Sequence, residues 1–404
     1  VRPIRIQATW LGDPAFGAVI AAILAAGGDV RVAGGAVRDS LLGRPVQDID
    51  LATTLVPEAT AAAAKEAGLH TIPTGIDHGT VTVMAGGRGF ETTTLRADIE
   101  THGRRATVRF TTDWREDAQR RDFTMNALYL DPDGTVHDPL GQGLDDIQSR
   151  TIRFIGLASE RIREDRLRIL RFFRFHAVLD WPIRDMQGRD ACAELAPGLN
   201  QLSVERIWQE MRKLLVAPDP SPMLVEMAAA GVLAVIAPEI RADRHLPPEP
   251  DAVLRLAALL DSTADASAIA QRWRLSRAET RRLVLAVAPA GDALADPVAT
   301  RRALYHDGRQ AMADRMRLAT ARGDVVNPAI TELVGGWPVP TFPLTGRDLI
   351  AVRIAPGREM GQLLRRLEAQ WIADDFRADR ETCLGWLAGA VRALADPESS
   401  PPTD

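Results

Sequence analysis

From Val30 to about Ile155 the apolar residues fall in short β-branched runs broken by glycine: VRVAGG, DIDLATT, TVTVMAGG, FETTTLR, NALYLDPDGTVHDP and TIRFIG. Runs of that length bounded by turn residues predict strands. Asp133-Gly134 lies between two of them and predicts a hairpin. Pro57 to Gly68, with proline near its start and glycine at its end, predicts a helix packed on the sheet. Near Ala158 the pattern changes. ASERIREDRLRILRFFRFHAVL, SVERIWQEMRKLLV, SPMLVEMAAAGVLAVI and DAVLRLAALLDS carry helical periodicity, separated by proline or glycine, with almost no strand signal. The first part therefore reads as α/β and the remainder as all-α. Arg244 to Asp251 and the proline-rich stretch Val326 to Leu344 read as joints between helical subdomains, and the final SSPPTD as a loose tail.

A chain of 404 residues predicts two or three domains, and 46% apolar with 25% charged residues is the composition of an ordinary globular protein. The 49 basic residues against 54 acidic ones give a net charge of −5, which excludes a chain basic over its whole surface. Any polyanion site is local. Residues 150 to 174 supply one, with eight arginines against Glu160, Glu164 and Asp165, an excess of +5. Cys192 and Cys383 lie far apart in no CxxC or CxxxH context. They exclude a disulfide framework and a zinc site built on paired cysteines, and predict a reducing cytoplasm. No apolar run reaches the ~18 residues of a membrane span. Arg2, Arg5 and Ala15 to Ala26 mimic a secretion signal, yet read as an amphipathic first helix, because a phosphate-loop candidate follows at once and needs the strand before it.

That candidate is VAGGAVRDSLLGRPVQDIDLATT. A strand delivers Gly34-Gly35, a helix begins near Ala36, and a second strand presents Asp48 and Asp50. Glycine lets backbone approach a ligand, and a helix start offers free N–H groups to an anion. Two carboxylates two residues apart in a strand share a face and suit a hard cation such as Mg²⁺. The glycine pair, VRD, LLG and DxD at this spacing resemble the motif of class II tRNA nucleotidyltransferases and bacterial poly(A) polymerases, a family with a DNA polymerase beta type of catalytic domain. Phe90 to Arg96 (FETTTLR) is similar to the family's third catalytic strand, and Glu91 stands where some members place an additional acid. Ala97 to Trp114 matches the place of the family's flexible loop. Arg120-Arg121-Asp122, within RRDFTMNALYLD, resembles the ribose-recognition motif, in which a carboxylate accepts a hydrogen bond from a ribose hydroxyl and an arginine clamps phosphate. Asp138 to Ile147 resembles the turn into a helical neck.

Ile162 to His176 (IREDRLRILRFFRFH) predicts one helix, with Asp165 and Arg168 neighbours on its surface and, by spacing alone, an ion pair. The family resemblance implies that they read the Watson–Crick edge of an incoming nucleotide. Cytosine and adenine both set an exocyclic amino donor beside a ring-nitrogen acceptor, which an Asp acceptor and an Arg donor satisfy. Uracil and guanine reverse that pattern, leaving buried groups unpaired at ~1 to 3 kcal/mol each. Arg171 and Arg174 continue the three-residue step but lag ~60° at each, spiralling away from the face of Asp165. The resemblance assigns them to nucleotide or phosphate. Leu167, Leu170, Phe172 and Phe175 read as core. Leu344 to Trp371 resembles the family's tail, with Arg365 and Arg366 as candidate tRNA contacts.

The resemblance thus implies an α/β nucleotidyltransferase head with a mixed sheet over residues 1–155. A helical neck with the base-reading helix follows over 156–245, and a helical body and tail supporting tRNA over 246–404. It implies template-independent addition of CMP and AMP, from CTP and ATP, to the 3′ end of tRNA, with Mg²⁺ on Asp48 and Asp50 and pyrophosphate released. Gly34, Gly35 and Arg38 hold the triphosphate, Arg121 and Asp122 address phosphate and ribose, and Asp165 with Arg168 choose the base. A poly(A) polymerase, or an enzyme adding only part of CCA, shares these motifs. The C-terminal stretch is not strongly basic, unlike the extensions of poly(A) polymerases in the family, which favours tRNA. A non-catalytic RNA-binding or nucleotide-sensing protein is the reading from another class, and the complete set of acids and arginines argues against it.

Overall fold

The β-branched runs of the first part pair into one mixed sheet. The computed structural model describes residues 4–76, 79–102 and 105–395, and SSPPTD lies outside them. Helix α1 (Pro14–Ala25) starts on an Asp13 cap that accepts from Ala15 N at 2.8 Å, with proline in its first turn. Then come β1 (Val30–Ala33), α2 (Gly35–Leu41), β2 (Leu51–Thr53), α3 (Pro57–Glu66), β3 (His70–Gly75), β4 (Thr80–Ala85) and β5 (Arg88–Thr94). After β6 (Arg96–His102), β7 (Arg105–Phe110) and α4 (Trp114–Gln119), the Asp133-Gly134 turn joins β8 (Tyr129–Leu130) to β9 (Val136–His137). The sheet order is β3-β4-β5-β2-β1-β8-β9. Only β2 and β5 pair in parallel among these neighbours. Phe16, Val19, Ile20 and Ile23 of α1 bury against Val32, Val83 and Phe90, which fixes α1 on one face of the sheet.

Two elements differ from the sequence reading. Ala97 to Trp114, expected as a flexible loop, contains the β6–β7 ribbon, closed at its base by the Arg96–Phe110 pair. Glycine and charge in that stretch signalled a mobile segment; a two-stranded ribbon accommodates the same sequence while its backbone groups satisfy one another. TIRFIG, expected as a strand, makes only the Phe123–Phe154 bridge. Its apolar residues serve packing instead, with the Phe154 ring stacked on Phe172 at 5.5 Å.

Helices α5 (Gly143–Gln148), α6 (Ala158–Glu164), α7 (Leu167–Leu179), α8 (Met186–Leu195) and α9 (Val204–Leu215) follow. The expected single helix over Ile162 to His176 is therefore broken at Asp165-Arg166, where Asp165 is extended at φ −147°, ψ 107°. Leu167, Leu170, Phe172 and Phe175 are all buried, as their spacing predicted.

The chain divides into two compact units, Val1–Asp243 with Arg272–Arg274, and Arg244–Gln271 with Leu275–Asp404. Within the second unit every regular element among the described residues is a helix. Val326 to Leu344 is not wholly a joint, since it holds the helix Pro328–Gly336, capped by Asn327 and packing Ile330 and Val334 on Leu304 and Met312. Further on, Leu349, Leu363, Leu367, Trp371 and Leu387 form a separate core. Cys192 and Cys383 are free and buried. No helix among the described residues is long and apolar enough to cross a membrane.

Candidate functional site

The turn between β1 and α2 requires glycine. Gly34 has φ +68°, and a Cβ there would lie 3.1 Å from Arg121 Nη1 and 3.3 Å from the Asn126 carbonyl oxygen. Gly34 N donates to Leu128 O at 2.9 Å, which ties the turn to the segment leading into β8. One turn into α2, the buried Arg38 donates to both carboxylate oxygens of Asp39 at 2.9 Å and to Asn126 Oδ1 at 2.7 Å. Its guanidinium lies 4.9 Å from the centre of the Phe175 ring.

The expected second strand begins at Leu51, so Asp48 and Asp50 stand on its approach and not within it. The alternation of a strand still holds there. Ala33 N donates to Asp50 O at 2.9 Å, Ile49 is buried, and Asp48 and Asp50 on either side are exposed. Leu51 pairs with Thr92 of β5, which brings Glu91 abreast of Asp50. Asp48, Asp50 and Glu91 line one depression together with Thr82 and Arg88. Although Asp50 keeps solvent access, desolvation pushes its carboxyl above the ordinary range; Glu91 and Asp48 push the same way, and Arg121 opposes them.

Among the described residues no ion pair or hydrogen bond engages these three carboxylates, and no group of three acidic, histidine or cysteine side chains is preassembled around a metal position. The fit is to a hard cation held by one or two carboxylates and completed by oxygens of its substrate, as magnesium commonly is.

Arg120 and Arg121 converge on Asp117, a carboxylate only 1% exposed. Arg120 donates to its Oδ1 at 2.7 and 2.9 Å, and Arg121 to its Oδ2 at 3.1 and 3.3 Å. Tyr129 Oη adds a third donor at 2.6 Å. The two arginines and the tyrosine outweigh burial and hold the Asp117 carboxyl at about 2. Asp122 is buried as well. Its Oδ1 accepts from Phe123 N at 2.8 Å and Asn126 Nδ2 at 3.0 Å, and its Oδ2 from Arg171 at 2.7 Å. Against the penalty of burial, Arg171 and Asn126 bring it down to about 2.

The helix break changes the partners of the two residues expected to read the base. Asp165 and Arg168 do not pair with each other. Asp165 Oδ1 accepts from Leu167 N, the first backbone donor of α7, at 3.1 Å, while Oδ2 meets Arg206 of α9 at 2.6 Å. Arg168 donates to Glu164 at 2.7 Å and to the carbonyls of Arg161 and Arg120 at 3.0 Å. Glu210 of α9 pairs with Arg174 at 2.5 Å and stands 4.0 Å from Arg171. Arg174 lies over the Phe175 ring at 3.9 Å, and burial pulls its guanidinium down to about 10.

These side chains line one cavity of about 510 Å³. Gly34, Gly35, Arg38, Arg121, Asp122, Asp165, Arg168, Arg171 and Arg174 all reach it, and Asp50 forms part of its wall. Asp48 and Glu91 do not; they face the adjoining depression, with Asp50 common to both. Arg171 and Arg174 spiral as the helix dictates, yet their long side chains still turn into the cavity that Asp165 lines. Seven arginines against three aspartates line it, with Asp39, Asp117, Glu164 and Glu210 pairing several of the arginines from behind, so the wall facing the cavity is rich in guanidinium donors, which suits a polyphosphate.

Sequence reasoning missed Asp117, Asn126, Glu164, Arg206 and Glu210. Asn126 lies within RRDFTMNALYLD and Asp117 three residues before it, a local signal that was available. Arg206 and Glu210 are four apart on an amphipathic helix, where charge ordinarily means solvent; only the packing of α9 on α7 turns them inward.

A family model described as "Poly A polymerase head domain" matches residues 30–153, and one described as "Probable RNA and SrmB- binding site of polymerase A" matches residues 186–243. The CCA tRNA nucleotidyltransferase 1, mitochondrial, of Danio rerio is 34% identical over 377 residues, covering 89% of this chain and 87% of the relative. A CCA-adding enzyme of Limosilactobacillus fermentum is 34% identical over 387 residues, covering 91% and 94%. Among solved structures, the Bacillus stearothermophilus CCA-adding enzyme in complex with CTP superposes with a TM-score of 0.79 at 29% identity, over 95% of this chain and 100% of that one.

Proposed function

The chain belongs to the CCA tRNA nucleotidyltransferase family, and on that premise we propose that it adds CMP and AMP from CTP and ATP to the 3′ end of tRNA, rebuilding CCA. One observation carries the reading: Asp50, of the acidic pair, and Asp165 with Arg168 line the same cavity. Chemistry at the acids and choice of base then occur within one nucleotide's length.

Asp48 and Asp50 would hold Mg²⁺, with Glu91 abreast. The ion's chemistry there is to lower the pKa of the attacking 3′-hydroxyl and to offset charge on the departing pyrophosphate. Arg38, Arg121, Arg171 and Arg174 hold the triphosphate as bidentate donors, with Gly34 and Gly35 letting backbone approach it. Asp122, ionised at neutral pH, accepts a hydrogen bond from a ribose hydroxyl. Asp165, oriented by Arg206, accepts from the exocyclic amino group of cytosine or adenine, while Arg168 donates to the adjacent ring nitrogen. Residues 1–155 form the head, 156–245 the neck, and 246–404 a body and tail that support tRNA through arginines such as Arg365 and Arg366. The buried free thiols of Cys192 and Cys383 fit a cytoplasmic setting.

The test is incorporation into tRNA ending before CCA, with each nucleotide offered separately and together. CMP twice and then AMP once is the expected product; unlimited AMP without CMP defeats the proposal in favour of a poly(A) polymerase. Asp48→Ala should abolish incorporation, by at least ~10³-fold, with tRNA retention on a filter little changed. Undiminished turnover would remove Asp48 from the metal site.

A further inference from the structure

Asn126 lines the cavity but makes contacts of a different kind from its charged neighbours. Its side-chain oxygen accepts from Arg38 at 2.7 Å, and its side-chain nitrogen donates to Asp122 Oδ1 at 3.0 Å. Arginine has only donors to offer, and an ionised carboxylate only acceptors. A residue between them must therefore accept on one side and donate on the other. The amide does both through two separate atoms at a fixed spacing, which a single hydroxyl oxygen does not. Aspartate would set a second carboxylate against Asp122, and leucine would leave both partners unmet.

The backbone fixes the amide in place. Asn126 N donates to Phe123 O at 2.9 Å, and Asn126 O accepts from Arg121 Nη1 at 3.3 Å. The same carbonyl stands 3.3 Å from where a Cβ on Gly34 would project. With 7% of its surface exposed, Asn126 has little room to turn. Asp122 Oδ1 has two donors, Phe123 N and this amide, while Oδ2 is held by Arg171; of these contacts the amide is the one that ties the carboxylate to Arg38, and without it the plane is free to tilt about the Arg171 contact.

We infer that Asn126 is a positioning residue: it holds the Asp122 carboxylate in register with Arg38, and so sets the preference for a ribonucleotide over its deoxy analogue. The inference rests on the reading that Asp122 meets the sugar. Rotating that carboxylate leaves the phosphate contacts of Arg38 and Arg121 in place but misaligns the acceptor for the hydroxyl. Asn126 touches no reacting atom, and its effect falls on nucleotide KM and on sugar selectivity.

The experiment measures kcat and KM for CTP, 2′-deoxy-CTP and 3′-deoxy-CTP with tRNA lacking CCA, using the wild-type chain, Asn126→Asp and Asp122→Asn. Asn126→Asp should raise KM for CTP about tenfold, the worth of one hydrogen bond to a charged group. It should also shrink the CTP to deoxy-CTP selectivity toward that of Asp122→Asn, with kcat much less affected. Selectivity is a ratio within one preparation, so an unfolded fraction cancels, and Asn126→Ser carries the same comparison if the aspartate variant does not accumulate. Collapse of selectivity in Asp122→Asn with wild-type selectivity in Asn126→Asp overturns the inference and leaves the reading of Asp122 standing. A fall in kcat alone, with both ratios intact, overturns it too, because that is a merely structural role. Unchanged selectivity in Asp122→Asn would remove the sugar contact itself, and the inference with it.

Discussion

At Gly34 the backbone turns with φ +68° against Arg121 and Asn126. Alanine there carries φ +68°, ψ −112°, a region open essentially to glycine and costing about 2 to 3 kcal/mol, and a methyl that crowds Arg121. Gly34→Ala should therefore raise KM for CTP about tenfold or more and lower thermal stability measurably, as steady-state kinetics and a melting curve will record. Asp117 and Asp122 make a prediction about acid. Both are held at about 2, against 3.8 for a free aspartate. A depressed carboxyl stabilises the fold fully above its unfolded pKa and loses that contribution as pH falls through its folded pKa. Each is worth roughly 2 to 3 kcal/mol, lost between about pH 4 and pH 2. The urea midpoint of tryptophan fluorescence should drop steeply on going from pH 5 to pH 3, and less steeply in Asp122→Asn, which lacks one of the titrating groups. An equal slope in both proteins would contradict the assignment.

At the scale of elements, the break between α6 and α7 is the feature most closely tied to the proposed base choice. A continuous helix would direct Asp165 and Arg168 at each other as an ordinary surface pair. The extended residue at 165 instead lets one carboxylate oxygen accept from Leu167 N and gives the other to Arg206. Asp165→Asn keeps the oxygen that accepts from Leu167 N but loses the charge. It should relax discrimination against UTP and GTP with little change in melting temperature. Asp165→Ala loses that backbone contact as well and should cost about 1 kcal/mol more. Single-nucleotide incorporation beside calorimetry separates the two; equal melting temperatures with base choice intact would refute both roles. The break escaped sequence reading because IREDRLRIL has no proline or glycine to mark it. Aspartate is a good cap and a poor helix former only by tenths of a kcal/mol, and tertiary partners decide which role it takes.

At the scale of the molecule, every residue lining the nucleotide cavity belongs to the first unit. Stability of the second should therefore be separable from nucleotide binding. Asp314 there is fully buried and accepts from Arg282 at 2.8 and 3.1 Å, Gln310 at 2.9 Å and Arg317 at 3.3 Å. Asp314→Ala removes a buried carboxylate whose donors, half-buried Arg282 and exposed Gln310 and Arg317, water can partly satisfy, and should cost about 1 to 2 kcal/mol, seen as an earlier calorimetric transition, while CTP affinity in a direct binding assay stays unchanged. A parallel loss of CTP affinity would deny that separation. Net charge illustrates the same point about scale. The chain carries −5 overall, yet one wall gathers seven arginines, and no average over the sequence reveals it. What the amino-acid sequence by itself determined was the local chemistry: the glycine turn, the acids two apart, the RRD motif and the switch from strand to helix periodicity. Each depends on residues within a few positions of one another. What only the tertiary structure decided was partnership. Arg206 and Glu210 are distant in the chain from Asp165 and Arg174, and Asn126 stands 88 residues from Arg38. Buried polar groups must find complementary partners wherever packing delivers them, and packing is a property of the whole fold.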